Sequence, residues 1–216
     1  MMLLPLYVHP LEDPSAWEAA ACAGRGVLVV VNVHNGPGEG REAAYTEVTA
    51  RLYQAGVPML GYVDLGYLHR PRAEIFSDLT GWGRYPVGGV FFDQAPSGRA
   101  EIGEVTRIAR AARGSVVLNP GTYPDPGYAA IADIVCTYEG SWTRYAATPT
   151  MPYWPRAAHL VYGVPTGLLG EAETLLRARA AHGLATDLDM PQPYLGVPPR
   201  VRAALPRRLP GPAAVT

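Results

Sequence analysis

Two acidic residues that follow apolar runs are the first candidates for chemistry. Asp93 ends the run Val90–Phe92, and Glu139 ends the run Ile134–Tyr138. Taken singly, Asp93 is also suited to capping the next helix, and Glu139 to pairing with Arg144. Taken together, they match the two carboxyl groups, about 5–10 Å apart, that hydrolyse a glycosidic bond. The pair therefore indicates a glycosidase, provided that the fold brings the two strand ends together.

Polar and aromatic side chains follow the other apolar runs. Sugar hydroxyls need hydrogen-bond partners, and the C–H faces of sugars stack on aromatic rings. We predict substrate contacts from Tyr7, His34, Asn35, Tyr62, Asp64, Tyr67, Gln94, Asn119, Trp142, Asp187 and Asp189. Tyr123 and Tyr194 also flank these positions, without an assigned contact. Three alternatives stay open: residues 34–38 form a shaped loop without chemistry, Tyr62 is a core aromatic, and the two last aspartates have a structural role.

The sequence lacks the residues that several other kinds of catalysis require. All 18 basic residues are arginine, which excludes a lysine Schiff base and a P-loop. Cys22 and Cys136 are too far apart in the sequence to suggest a zinc site or a disulfide scaffold, and we expect two buried thiols. The aspartates 187 and 189 alone make a poor metal cluster. We therefore expect no metal and no cofactor. The net charge of -1 gives no reason to expect a nucleic acid or anionic lipid partner.

Eight short apolar runs must position these side chains. Most are apolar on both faces, which is typical of parallel strands that are covered on both sides. Eight strands that alternate with helix-like segments predict a compact (β/α)8, TIM-type barrel, whose functional groups lie where strands end. The runs are Leu3–Val8, Val27–Val33, Pro58–Asp64, Gly89–Asp93, Ser115–Asn119, Ile134–Glu139, His159–Val164 and Leu184–Asp189.

The segments between the runs carry helix start and stop signals. Asp13 and Pro14 predict an N-cap and a first-turn proline. Glycine follows each of four helix-like segments, which end before Gly24, Gly56, Gly114 and Gly183. The third, fifth and sixth connections are short or proline-rich, so we expect some outer helices to be single turns. Residues 1–195 are predicted as one barrel domain, and residues 196–216 as a proline-rich tail with a short helix near Val201–Leu205.

The first eight residues do not resemble a signal peptide. They lack a basic region, and no small-residue cleavage site follows. No other apolar stretch has the length of a membrane span. We expect no membrane partner and a cytoplasmic protein, or a secreted one if the chain begins after a removed leader. The sequence does not determine an oligomeric state.

Five segments occur in an order that is itself informative. They are Leu4–Pro10, Asn32–Gly38, Gly56–Val63, Gly88–Asp93 and Val116–Gly121. Together they resemble the motifs of the spherulin-4-like proteins, also called spherulation-specific family 4. The resemblance extends over roughly residues 3 to 164.

The resemblance implies a (β/α)8-type fold and endo-acting hydrolysis of polysaccharides that contain α-1,4-linked galactosamine or N-acetylgalactosamine. It places the family's catalytic acids at Asp93 and Glu139; a retaining mechanism would make Asp93 the nucleophile and Glu139 the acid/base. One position departs from the family, which usually has glutamate where this chain has Gln94. Because glutamine cannot titrate, the alternative is a catalytically weak or inactive carbohydrate-binding relative. A barrel enzyme of another kind, such as an isomerase, lacks a phosphate site here.

Overall fold

Eight parallel strands close into a barrel in the computed structural model, which describes residues 1–206. Each strand pairs with the next along the chain, and β1 pairs with β8. The predicted (β/α)8 barrel is therefore confirmed. The strands are β1 Met2–Leu6, β2 Val27–Val31, β3 Met59–Asp64, β4 Gly89–Asp93, β5 Ser115–Leu118, β6 Ile134–Ser141, β7 Ala157–Tyr162 and β8 His182–Ala185.

Helices of unequal length surround the barrel. The first begins as predicted, because the Asp13 carboxylate accepts a hydrogen bond from the Ala16 N–H at 3.1 Å and Pro14 takes the first helical position. The α-helices are α1 Pro14–Ala23, α2 Ala43–Gln54, α3 Arg72–Gly81, α4 Ile102–Ala109, α5 Trp142–Ala147, α6 Leu169–Arg179 and α7 Pro199–Arg202. Single 3-10 turns add Gly24–Gly26, Gly66–Leu68, Trp82–Arg84, Pro126–Ala130 and Thr166–Leu168.

Two of the three connections expected to be short are short. The fifth contains only the 3-10 turn Pro126–Ala130, and the sixth contains the six-residue helix α5. The third is not, because it contains the ten-residue helix α3. This helix buries only Ile75 and Gly81. Its sequence therefore lacks the apolar periodicity by which a helix is recognised.

Gly183 has a different role from the predicted one. It lies inside β8 rather than at the end of a helix, since α6 already stops at Arg179. Its φ is +145°, and a Cβ atom there would stand 2.1 Å from the carbonyl oxygen of His159 in β7. The glycine thus permits the close approach of β7 and β8 that completes the barrel.

The two cysteines lie in different environments. Cys136 is buried in β6, as expected, but Cys22 is exposed on α1. Helix α1 packs through Ala16, Ala19 and Ala20, and Cys22 lies on the opposite face of the helix. The prediction of two buried thiols is therefore wrong for Cys22.

The described part of the C-terminal segment packs on the barrel. Its short helix is α7, slightly ahead of the predicted position, and Val201 is buried in the main core. The Arg202 guanidinium donates to the Asp13 carboxylate at 2.8 Å, which joins α7 to the start of α1. The rest of the predicted tail, residues 207–216, lies outside the described residues. Within residues 1–206, no helix is both long and apolar enough to cross a membrane.

Candidate active site

Asp93 is the last residue of β4 and points into the barrel mouth. Tyr62 in β3 pairs in register with Phe91, and the two rings stack. Because side chains alternate along a strand, Asp93 lies on the same face as Phe91. The Tyr62 hydroxyl donates to Asp93 Oδ2 at 2.9 Å, and the Gln94 backbone N–H also donates to this carboxylate. Tyr62 is therefore both a core aromatic and a site residue, since its ring is buried and its hydroxyl contacts Asp93.

Glu139 reaches the same mouth through an irregularity in β6. The register with β7 shifts between Cys136 and Tyr138, so that Thr137 is an extra residue in β6. Thr137 and Tyr138 both contact residues behind the barrel wall. Glu139 then turns inward, on the same side as Cys136. Such a β-bulge changes which face the following residues occupy.

One amide nitrogen joins the two carboxylates. Nδ2 of Asn119, the residue after β5, donates to Asp93 Oδ1 at 2.7 Å and to Glu139 Oε2 at 2.6 Å. The two accepting oxygens therefore lie no more than about 5.3 Å apart, the sum of these two distances. Gly121 N–H donates to the Asn119 Oδ1 atom at 3.0 Å, which fixes the orientation of the amide. Asn119 is buried, so both of its polar atoms are satisfied within the site.

Tyrosines close the other side of the carboxylate pair. The hydroxyl of Tyr194, in the loop after β8, donates to Glu139 Oε1 at 2.6 Å. Its carbonyl accepts the Tyr7 N–H at 2.9 Å, which fastens the loop to the end of β1. The Tyr7 ring packs edge-to-face on both Tyr62 and Tyr194, with ring centroids 5.5 and 5.6 Å away. The sequence indicates Tyr194 only as an aromatic that flanks the site. Its position after the last strand is the one local feature that points to a role in the site.

Burial and a neighbouring negative charge raise the pKa of Asp93. Desolvation raises this pKa to about 6, and the nearby Glu139 adds to the rise. The donors Tyr62, Gln94 and Asn119 act in the opposite direction, because they stabilise the charged carboxylate. Burial also raises the pKa of the Tyr7, Tyr62 and Tyr194 hydroxyls, and the last two stay protonated as donors to the carboxylates.

Asn35 and Asp64 form a polar group beside the pair. Asp64, the register partner of Asp93, accepts the Gly66 N–H at 2.7 Å and faces Asn35 Nδ2 at 3.5 Å. The loop that carries Asn35 is held by the Asn32 side chain, which accepts the Gly36 N–H at 2.9 Å. His34 is exposed in the same loop.

Tyr67 and Gln94 meet through their backbones. The Tyr67 N–H donates to the Gln94 carbonyl at 2.8 Å, and both residues have left-handed φ values, 51° and 48°. Tyr67 presents an open ring, 54% exposed. Within residues 1–206, the Gln94 side chain has no hydrogen-bond partner. The left-handed backbone of Gln94 ends β4, so the alternation of side chains that turns Asp93 inward does not continue to Gln94.

Trp142 and the two late aspartates do not join the carboxylate pair. Trp142 begins α5 and is only 7% exposed, packed with Tyr145 in the smaller hydrophobic cluster behind β7 and β8. It offers no free face to a sugar, contrary to the prediction, because the chain turns outward directly after β6. Asp187 faces the Thr166 hydroxyl at 3.5 Å, and Asp189 packs against the backbone of Gly163. Both follow the end of β8.

Metal chemistry has no obvious ligand set in the part of the chain that the structure describes. No three or more histidine, cysteine, aspartate or glutamate side chains come together there to hold an ion. The arrangement of two partly buried carboxylates, one shared amide and three surrounding tyrosines is suited to proton transfer and to nucleophilic attack within one small space.

Comparison with known proteins identifies the family. The model of the spherulation-specific family 4 matches residues 1–205. The chain belongs to this family. Spherulin-4 of Physarum polycephalum is 33% identical over 149 residues, which are 64% of this chain and 44% of that protein. The chain thus spans less than half the length of this relative.

Solved structures agree with the fold. The structure of Sph3 from Aspergillus clavatus, in complex with GalNAc, has a TM-score of 0.79 and 26% identity, with 94% of each chain covered. Phosphoribosyl anthranilate isomerase from Thermus thermophilus has a TM-score of 0.53 and 16% identity, with 94% of this chain and 96% of that chain covered. At that identity, the second match supports the barrel fold alone.

Proposed function

We propose that this member of the family is an endo-acting glycoside hydrolase of polysaccharides that contain α-1,4-linked galactosamine or N-acetylgalactosamine. The observation that carries the proposal is the carboxylate pair Asp93 and Glu139, joined by the amide of Asn119. The GalNAc complex of the similar Sph3 structure supports an amino sugar as the ligand. The open ring of Tyr67 and the polar pair Asn35 and Asp64 supply further contacts of the kind that a sugar requires.

The separation of the carboxyl groups favours retention of configuration. Retaining enzymes hold these groups about 5–5.5 Å apart, whereas inverting enzymes leave about 6.5–9.5 Å for a water molecule. The shared Asn119 nitrogen limits the two nearest oxygens to about 5.3 Å, the sum of its two hydrogen bonds. This limit supports the shorter, retaining separation.

The reaction then proceeds in two displacements. The Asp93 carboxylate attacks the anomeric carbon while the glycosidic C–O bond breaks and Glu139 gives its proton to the leaving oxygen. Water next attacks the anomeric carbon of the glycosyl ester, Glu139 takes the proton of that water, and Asp93 leaves as a carboxylate. Three donors on Asp93, from Tyr62, Asn119 and Gln94, favour the ionised form that attacks and oppose the burial that raises its pKa to about 6.

Product analysis on defined galactosamine and N-acetylgalactosamine oligomers tests the proposal. We expect internal cleavage with retained α configuration, and we expect Asp93→Asn and Glu139→Gln each to lower the rate about 10²–10⁴-fold. Circular dichroism of both variants controls for folding. A loss below roughly tenfold in either variant would assign the chemistry to other residues.

A second candidate is a carbohydrate-binding protein without hydrolysis. It is favoured by Gln94, which replaces the glutamate usual in the family. Calorimetric titration with the same oligomers separates the two functions. Binding without any product, by a wild-type protein whose fold is intact, would support the binding function.

A further inference from the structure

The two carboxylates share one donor but have separate tyrosine partners. Asn119 donates to both, whereas the Tyr62 hydroxyl donates only to Asp93 and the Tyr194 hydroxyl donates only to Glu139. Asn119 occupies Glu139 Oε2 and Tyr194 occupies Oε1. Both oxygens of Glu139 are therefore held, and the plane of the carboxyl group is fixed.

Tyr194 is itself held from two sides. Its carbonyl accepts the Tyr7 N–H at 2.9 Å, and its ring packs edge-to-face on the Tyr7 ring. The loop after β8 thus delivers one hydroxyl across the mouth to a residue of β6, 55 residues away in the sequence. The hydrogen bond from Tyr194 to the carboxylate is short, at 2.6 Å, which is typical of a bond to a charged group. The loop therefore contacts the carboxylate pair directly.

We infer that Tyr194 is a positioning residue for Glu139: its hydroxyl holds the carboxyl group in the orientation for proton transfer. Tyr62 has the matching role for Asp93. Because each tyrosine belongs to one carboxylate, removal of one hydroxyl should release the orientation of one member of the pair. The kinetic consequence rests on the proposed hydrolysis, whereas the orientation itself does not.

The surroundings of Glu139 show why the tyrosine matters. The ionisable groups near it are Asp93, Cys136 and the three tyrosines Tyr7, Tyr62 and Tyr194. None of these neighbours within residues 1–206 carries a positive charge that could orient the carboxyl group. The orientation of Glu139 therefore depends on its two neutral donors, Asn119 and Tyr194.

The test compares Tyr194→Phe with Tyr62→Phe. Crystal structures of the two variants give the orientation of the Glu139 and Asp93 carboxyl groups. We expect Tyr194→Phe to rotate the Glu139 carboxyl group or leave it in more than one orientation, with Asp93 unchanged. We expect Tyr62→Phe to do the reverse. An unchanged orientation of Glu139 in Tyr194→Phe would overturn the inference, whether or not hydrolysis is found.

The kinetic arm uses the same variants on oligosaccharide. We expect Tyr194→Phe to lower kcat roughly ten- to hundredfold with little change in KM. Tyr128→Phe is the control for folding, since it removes a buried hydroxyl that donates to the carbonyl of Gly98 and to neither carboxylate. Equal effects of Tyr194→Phe and Tyr128→Phe on kcat and KM would assign Tyr194 a merely structural role.

Discussion

Cys136 and Glu139 both point into the barrel although they are three positions apart on one strand. On a regular strand, positions that differ by an odd number face opposite sides. The extra residue Thr137 resolves the conflict, and its hydroxyl pairs with the buried His159 behind the wall at 3.1 Å. The bulge is therefore what brings Glu139 to the site.

Deletion of Thr137 should keep Glu139 at the mouth. Without the extra residue, Glu139 stands two positions after Cys136 on a regular strand, so the two side chains face the same side. We therefore expect a folded protein that still hydrolyses its substrate, with Thr137→Val as the control that keeps the bulge and removes only the hydroxyl. The measurements are hydrolysis rate and circular dichroism. A deletion variant that folds but has lost as much activity as Glu139→Gln would contradict this account.

Asn119→Ala should raise the pKa of Asp93. The Asn119 amide lowers the pKa of Asp93, which burial and Glu139 raise to about 6. Without the amide, the two carboxylates face each other with one donor fewer, and we expect the pKa to rise by roughly one unit. The pH–rate profile of the variant measures this shift. A profile that keeps its wild-type midpoints, despite a folded protein, would show that the shared amide does not control the titration.

The sequence predicted the barrel better than it predicted the contacts within the site. Continuous apolar runs fix eight buried strands, and strand ends single out Asp93, Asn119 and Glu139, because both signals are local. The contact of Tyr194 with Glu139 spans 55 residues and depends on the path of a loop, which no local pattern encodes. Trp142 directly follows β6, yet it packs behind the wall, because the chain turns outward at that residue.

His159 should make the stability of the fold depend on pH. It is 2% exposed, and its two ring nitrogens lie 2.7 Å from the Tyr145 hydroxyl and 3.1 Å from the Thr137 hydroxyl. Burial, with a smaller contribution from Arg179, lowers its pKa to about 4. Below about pH 6.5, His159 is protonated in the unfolded chain but stays neutral in the folded chain. Stability is therefore lost as the pH falls from about 6.5 toward 4, by roughly 3 kcal/mol at most.

Urea unfolding at pH 7.5 and pH 5 measures this dependence. His159→Gln is the comparison, because glutamine keeps hydrogen-bonding groups but does not titrate. We expect the free energy of unfolding to fall less between the two pH values in the variant than in the wild type. Equal decreases in the two proteins would show that His159 does not contribute.

Tyr67→Ala should weaken oligosaccharide binding and leave the fold intact. The ring is more than half exposed, so its removal costs little core packing. We expect the Kd for the oligomers to rise roughly tenfold, the scale of one lost stacking contact. Calorimetry and thermal melting give the two readouts. A large drop in Tm with an unchanged Kd would assign Tyr67 to the structure of the loop.

Gln94→Glu decides whether the departure from the family has disabled the site. In the structure the Gln94 N–H supports Asp93, while its side chain makes no hydrogen bond to the described residues. Residue 94 thus supports Asp93 through its backbone N–H, which glutamate and glutamine both provide. We therefore expect Gln94→Glu to change the hydrolysis rate by less than roughly tenfold, with Gln94→Ala as the control for the side chain. A gain of roughly a hundredfold or more, about 2.7 kcal/mol in the barrier, would mean that the natural protein lacks a needed acid and that binding is its function.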